Sequence, residues 1–330
     1  MAVPSWGAQP SWPGPSDVTS APAAPRPRQR NPLLPILLIV IALAVVALAG
    51  FVVVGLTYKP AEAPYQNEDY QPPPVVASPP PVPSPRTQAE AEQWIKQNPI
   101  YATRIPAPVR CEVRRINART VSDAELGAHL NAMVGCLLRD WNLPATQAGF
   151  VLVRPAIHVY GDQVTTKCGN KGINAIYCDV DQNIYFSSKV TTTVAGLADN
   201  PWATEMVIAH EFGHAVQGRT GIFLSTYILE EQLDDVHAQL LLNRRLENQA
   251  DCFSGLFLRS VSRSIGLRQD DVNSLLDIYV RLGSDALSGQ PGIESNHGLS
   301  ASRRYWGQMG LANSDVGRCN TYAAAASLNR

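Results

Sequence analysis

Net charge is nearly absent from this chain: 27 Lys and Arg stand against 28 Asp and Glu in 330 residues, a formal charge of −1. A surface without a basic excess predicts no nucleic-acid partner. Cysteines are few, six in all, and none stands in a CxxC pair, so thiolate ligation of zinc is not expected. Charge is missing altogether from residues 33–56, which are apolar apart from Pro35. As a helix, that run is long enough to cross about 30 Å of hydrocarbon. Arg26, Arg28 and Arg30 precede it, whereas only Lys59 follows before Glu62, Glu68 and Asp69, so the positive-inside rule places the N-terminus in the cytoplasm. A cleaved signal peptide is the competing reading, but the core is long for one, and Pro64 behind Ala61-Glu62-Ala63 makes a poor cleavage site. The expectation is a single-pass cell-membrane protein, held in the lipid bilayer through residues 33–57, with everything downstream extracytoplasmic.

Residues 1–32 are rich in Pro, Ser, Ala and Gly, with Pro4-Ser5-Trp6 and Pro10-Ser11-Trp12 as a weak repeat. Such a composition cannot bury a core and predicts a disordered cytoplasmic tail. Its tryptophans could anchor a cytoplasmic partner that the tail does not specify. Residues 58–86 form a Pro-rich linker; the ten prolines between 60 and 85 predict a semi-rigid polyproline spacer that lifts the domain off the membrane. Residues 87–330 are then the extracytoplasmic domain, long enough for a real core.

Periodicity predicts helices over 87–97, 122–140, 202–218, 228–261, 270–281 and 300–309, and strands over 151–160 and 183–186, an α+β class. All six cysteines lie beyond the apolar run, and an even count there suggests three disulfides. Fifteen pairings are possible. The favoured one joins Cys168 to Cys178 across a Gly/Asn-rich turn, Cys111 to Cys136 locally, and Cys252 to Cys319.

Histidine is scarce too, yet two of the six fall in His210-Glu211-Phe212-Gly213-His214. On a helix, imidazoles at i and i+4 share a face and can reach one metal ion, while the intervening Glu stays free for proton transfer. Val207, Ile208 and Val216 surround the motif at helix-compatible spacing, Asn200-Pro201 starts the element, and Gly218 and Gly221 end it. A third histidine six residues on, as in metzincins, is ruled out because that position is Thr220 and the expected glycine is Gln217. Glu247 fits instead as third ligand, with Asp251 four residues on positioned to accept the other N–H of a ligand histidine, His210 first. Glu230, Glu231, Asp234, Asp235 and His237 are rivals in chemistry, but Ala250, Cys252, Phe253, Leu256 and Phe257 make the Glu247 stretch the buried one, where a lone carboxylate needs a cation. A surface helix with solvated His and Glu is the plain alternative.

Residues 207–217, then 247–255, then His297-Gly298-Leu299-Ser300-Ala301-Ser302-Arg303, resemble in order the three blocks of the bacterial putative neutral zinc metallopeptidase family. The resemblance runs from about Phe150 to Tyr322 and includes Ala175-Ile176-Tyr177-Cys178-Asp179 and Gly317-Arg318-Cys319-Asn320-Thr321. It departs at Asn248, Ser254 and Asn296, none of them a proposed ligand. It implies a zincin-like metallopeptidase domain: a small sheet, an active-site helix and a helical C-terminal part, behind the single transmembrane helix.

One zinc ion per chain held by His210, His214 and Glu247 would leave a position for water, with Glu211 as general base. His297 is the first candidate for stabilising the oxyanion; Tyr227, Tyr305 and Tyr185 are alternatives, and His129 and His158 read as structural. Residues 181–187 are expected to be the sheet edge that aligns a protein or peptide substrate. The competing function is a non-catalytic zinc-containing binding or scaffold module at the cell envelope. Against it stands Glu211, because a structural zinc site has no need of an uncoordinated carboxylate beside the metal.

Overall fold

Twenty-five residues without a charge, Leu33–Thr57, form helix α1. Its large side chains from Leu33 to Val53 are exposed, the length and composition that membrane anchors and signal sequences share. The computed structural model describes residues 33–57 and 62–330; the expected cytoplasmic tail, 1–32, lies outside the described residues. A second compact unit begins at Ala63 and runs to Arg330.

That boundary corrects the expected Pro-rich spacer over 58–86 from Ala63 onward; residues 58–61 lie outside the described residues. From Ala63 on, the proline-rich stretch is strapped to the domain. Gln66 bonds the carbonyls of Pro108 and Ala107 at 2.8 and 2.7 Å, and the Tyr65 ring receives the guanidinium groups of Arg110 and Arg263 at 4.2 and 4.0 Å. Polyproline backbone makes no internal hydrogen bonds, so its carbonyls are open acceptors. Pro80 takes hydrogen bonds from Gln182 at 2.7 Å and Arg219 at 3.0 Å.

Helix α2 (Gln88–Lys96) starts at Thr87, whose side chain accepts from Glu90 N–H. Helix α3 (Asp123–Gln147) opens on a Ser122/Glu125 capping box and runs past the expected end. The sheet follows: β1 (Ile157–Tyr160), β2 (Val164–Thr166), β3 (Gly169–Lys171), β4 (Ala175–Cys178) and β5 (Asn183–Ser187). Residues 151–156 do not join β1; Pro155 has no N–H to give a ladder. β2 and β3 form a hairpin, while the main sheet has the order β1-β5-β4, with β5 parallel to β1 and antiparallel to β4. This overturns 181–187 as the edge. β5 is the central strand, its buried Ile184-Tyr185-Phe186-Ser187 hydrogen-bonded on both sides, and β1 and β4 are the edge strands.

Helix α4 (Val190–Thr193) leads to α5 (Ala203–Arg219), which carries the His-Glu motif and buries every one of its residues. The expected helix over 228–261 is two: α6 (Ile222–Glu230) and α7 (Val236–Ile265), separated because the Asp235 side chain accepts from His237 N–H and starts a new helix. Helices α8 (Val272–Arg281), α9 (Ser284–Ser288) and α10 (Ser300–Ala312) complete the C-terminal part. α7 is the spine. α5 packs on one side of it and α10 on another, the latter at close range: a Cβ on Gly255 would lie 2.5 Å from the Gly307 carbonyl oxygen, and one on Gly310 would run into the Cys252 carbonyl. Three disulfides, Cys111–Cys136, Cys168–Cys178 and Cys252–Cys319, tie this α+β unit together, the same three pairs the sequence favours.

Candidate metal centre

A helix buried on all sides must find a partner for each polar side chain it carries inward. On α5 the partners around the motif come from α7, backed by α10, and from α5 itself. His210 Nδ1 donates to Asp251 Oδ1 at 2.8 Å, and Asp251, fully buried, is also gripped by Arg303 of α10, whose Nη2 and Nε each lie 2.8 Å from a carboxylate oxygen. His214 Nδ1 donates to Gln217 Oε1 at 2.8 Å. The Gln217 orientation follows from its amide nitrogen, which donates to Leu246 O at 2.8 Å and Gln249 Oε1 at 3.0 Å.

With both Nδ1 atoms directed at acceptors, both Nε2 atoms are the ones free to offer lone pairs to a metal. They face each other at 3.2 Å, and the Glu247 oxygens lie 3.4 Å from each. Three basic atoms crowded this closely form a set that one shared metal cation satisfies. The spacing fits zinc: ligands at 2.0–2.1 Å in a tetrahedron are about 3.3–3.4 Å apart. His210, His214 and Glu247 therefore suit the ion as a donor set, and they are brought together from two helices, α5 and α7.

Without metal the site holds a strained set of charges. Burial drives the His214 imidazole down to about 4, keeping it neutral and ready to ligate. Burial also opposes a charge on His210, but Asp251 and Glu247 outweigh it and raise that ring to about 10. Glu247 is pushed up by burial, yet His297 and His214 hold its carboxyl well below the usual range. Glu211 is the exception among the carboxylates: burial raises it to about 7, and its close contact is the Tyr177 backbone N–H of β4 rather than a side chain. It lies in the same cavity, of about 330 Å³, as the three donors.

His297 also reaches this cavity, but its Nδ1 is 3.2 Å from Glu247 Oε2, so it braces the third ligand and keeps only Nε2 for another partner. The Glu247 charge raises its pKa, favouring the doubly protonated ring that can donate from Nε2. Of the tyrosines, Tyr227 lines the cavity, Tyr185 donates to Asp181 at 2.8 Å, and Tyr305 packs edge-on against Trp306. Of the rival ligands, Glu230 accepts from Asn243, Asp235 caps α7 and His237 pairs with Glu294 at 2.7 Å, while Glu231 and Asp234 are exposed. His129 is buried against Glu205 at 3.2 Å, and His158 stacks on Tyr185.

Sequence reasoning gave no role to Gln217 or Arg303. Gln217 stands three residues after His214 on the same helix face, a spacing that could have identified it. Arg303 meets Asp251 from 52 residues away, with no local signal.

This donor set, drawn from two helices of an α+β domain, is one that could hold a metal ion. Residues 105–322 match the family described as "Putative neutral zinc metallopeptidase", and the chain belongs to that family, which implies zinc as the ion. An uncharacterized protein of Mycobacterium tuberculosis and one of Mycobacterium bovis are each 30% identical to it over 192 residues, covering 52% of this chain and 64% of the relative. The uncharacterized protein YpfJ of Escherichia coli is 28% identical over 191 residues, 55% of this chain and 66% of its own length. The chain thus spans somewhat less than two thirds of these relatives. No solved structure matches it.

Proposed function

We propose that this protein is a membrane-anchored zinc peptidase that hydrolyses peptide bonds of extracytoplasmic proteins or peptides. The observation that carries the reading is the pair of imidazole Nε2 atoms and the Glu247 carboxylate converging on one point, with the Glu211 carboxyl buried beside them and bound to no side chain among the described residues. Held there, zinc would supply Lewis acidity, polarising the substrate carbonyl and acidifying a water. Glu211 takes that water's proton as it attacks and returns it to the leaving amine; a pKa raised toward neutrality suits one group to both transfers. Asp251 and Gln217 lock the tautomers of His210 and His214, and His297 holds Glu247 and, when protonated, can donate to the oxyanion from Nε2. The domain is zincin-like in this reading, with residues 1–32 in the cytoplasm, α1 in the bilayer and the unit from Ala63 outside. The three disulfides support that side of the membrane.

The test is metal content and peptide-library cleavage by the full chain in detergent, beside Glu211→Gln and Glu247→Ala. One zinc per chain, with cleavage abolished in Glu211→Gln and zinc lost in Glu247→Ala, supports the proposal. Zinc without cleavage refutes the peptidase, and zinc retained in Glu247→Ala refutes the ligand set.

A further inference from the structure

Most charge around the cleft is accounted for at the site itself: Arg303 by Asp251, and Glu247 by His297 and the ion its donor set would hold. Two lining residues are not. Lys171, the last residue of β3, is partly buried and enters no ion pair among the described residues. Asp179, directly after β4, has as its side-chain neighbour the Cys168 sulfur at 3.5 Å, which is bonded to Cys178 and so has no proton to give. Removing charge partly from water without a counter-charge is costly, and both positions are rigidly built. The Cys168–Cys178 disulfide staples the β2–β3 hairpin to the end of β4, and the Tyr160 hydroxyl lies 2.8 and 2.7 Å from the carbonyls of Gly172 and Asn174, between Lys171 and β4.

Along the chain, the two charges lie on either side of the β4 residue that meets Glu211. β4 is an edge strand; Asn174 O accepts from Ser187 N–H, so alternation turns the backbone groups of Ala175 and Tyr177 toward the free edge, where the Tyr177 N–H meets Glu211. Lys171 precedes this point in the chain and Asp179 follows it. The four residues of β4 span about 13 Å, so an extended peptide laid along the edge passes one charge on each side of the bond beside Glu211.

We propose that Lys171 and Asp179 select the substrate by charge, Lys171 taking a carboxylate on one side of the scissile bond and Asp179 a cationic group on the other. This rests on the peptidase reading for the word scissile; charge selection itself can be measured without turnover. The carboxylate is either an acidic side chain or a peptide C-terminus, which separates internal cleavage from trimming of chain ends.

The experiment uses zinc-loaded full chain in detergent carrying Glu211→Gln, and fluorescein-labelled decapeptides with Glu, Lys or Gln at each position, with free or amidated C-termini. Binding is read by anisotropy, and cleavage of the same peptides by the unsubstituted protein. The expected result is binding at least about fivefold tighter for the peptide bearing both charges than for its all-Gln counterpart. Lys171→Glu should reverse the preference at the acidic position alone, and Asp179→Lys at the basic position alone. Loss of the first preference on C-terminal amidation identifies the carboxylate as terminal; persistence identifies it as a side chain. Binding indifferent to charge, or unaltered ratios in both variants, overturns the proposal. Absent cleavage overturns the peptidase reading, while the binding arm still decides this one.

Discussion

Replacing Asp251 by Asn separates the two tasks of that carboxylate. The side chain keeps its shape and one oxygen, so it can still accept from His210 Nδ1, now at 2.8 Å from Oδ1. What goes is the negative charge that raises the basicity of the ring and neutralises Arg303, whose Nη2 and Nε sit 2.8 Å from the two oxygens in a fully buried contact. Loss of such support beneath a metal ligand costs about 10- to 100-fold in affinity. Leaving a buried guanidinium unmatched costs about 3–5 kcal/mol of stability. Adding Arg303→Met removes the stranded cation, so the double variant should recover most of the stability of the metal-free protein but little of the zinc affinity. Chelator competition gives the zinc Kd, and urea unfolding of the metal-free protein gives the stability. Zinc affinity within twofold of the original in Asp251→Asn, or affinity returning with stability in the double variant, would refute the argument that Asp251 acts on the metal through His210.

Two further outcomes follow from the same geometry. Glu211, raised to about 7 by burial from an ordinary 4.5, is held protonated by the folded metal-free protein, so its stabilising contribution is present below pH 4.5 and lost as pH rises through 7. Glu211→Gln should therefore unfold like the original at pH 4 but be roughly 3 kcal/mol more stable at pH 8 without zinc; a pH-independent difference in urea midpoints would contradict this. Gly310→Ala, whose new methyl would meet the Cys252 carbonyl, should push α10 from α7, costing about 3 kcal/mol, and weaken zinc binding by displacing Arg303; calorimetry with zinc titration checks both.

What could be read in advance was local. The spacing of His210, Glu211 and His214 and that of Glu247 and Asp251 each lie within one turn of helix, where sequence distance fixes direction. Strand order depends on which segments find each other: β5 is central because β1, more than twenty residues earlier, pairs along its other side, and no feature of residues 181–187 announces that. The strap over 63–86 was illegible for a related reason. Its composition describes how the segment behaves alone, whereas its place is set by donors from Arg219 and Gln182 that composition does not contain. Arg303 belongs with these, a residue whose meaning exists only once α10 lies against α7.

The motif helix shows why such distant partners matter. α5 carries Glu205, His210, Glu211, His214, Gln217 and Arg219 into the interior, and nearly every one is met from a different direction. Glu205 faces His129 of α3, His210 faces Asp251 of α7, Gln217 meets Leu246 and Gln249 of α7, and Arg219 binds Val151 O and the strap. Each bond restricts rotation of the helix about its axis, so the two Nε2 atoms are aimed before any ion arrives and little ordering remains to be done on binding. Glu211 is left with no side-chain partner in the same helix, and it is the group whose task requires it to gain and lose a proton. A second carboxylate bond there would fix its charge and remove the function that the rest of the helix is built to support.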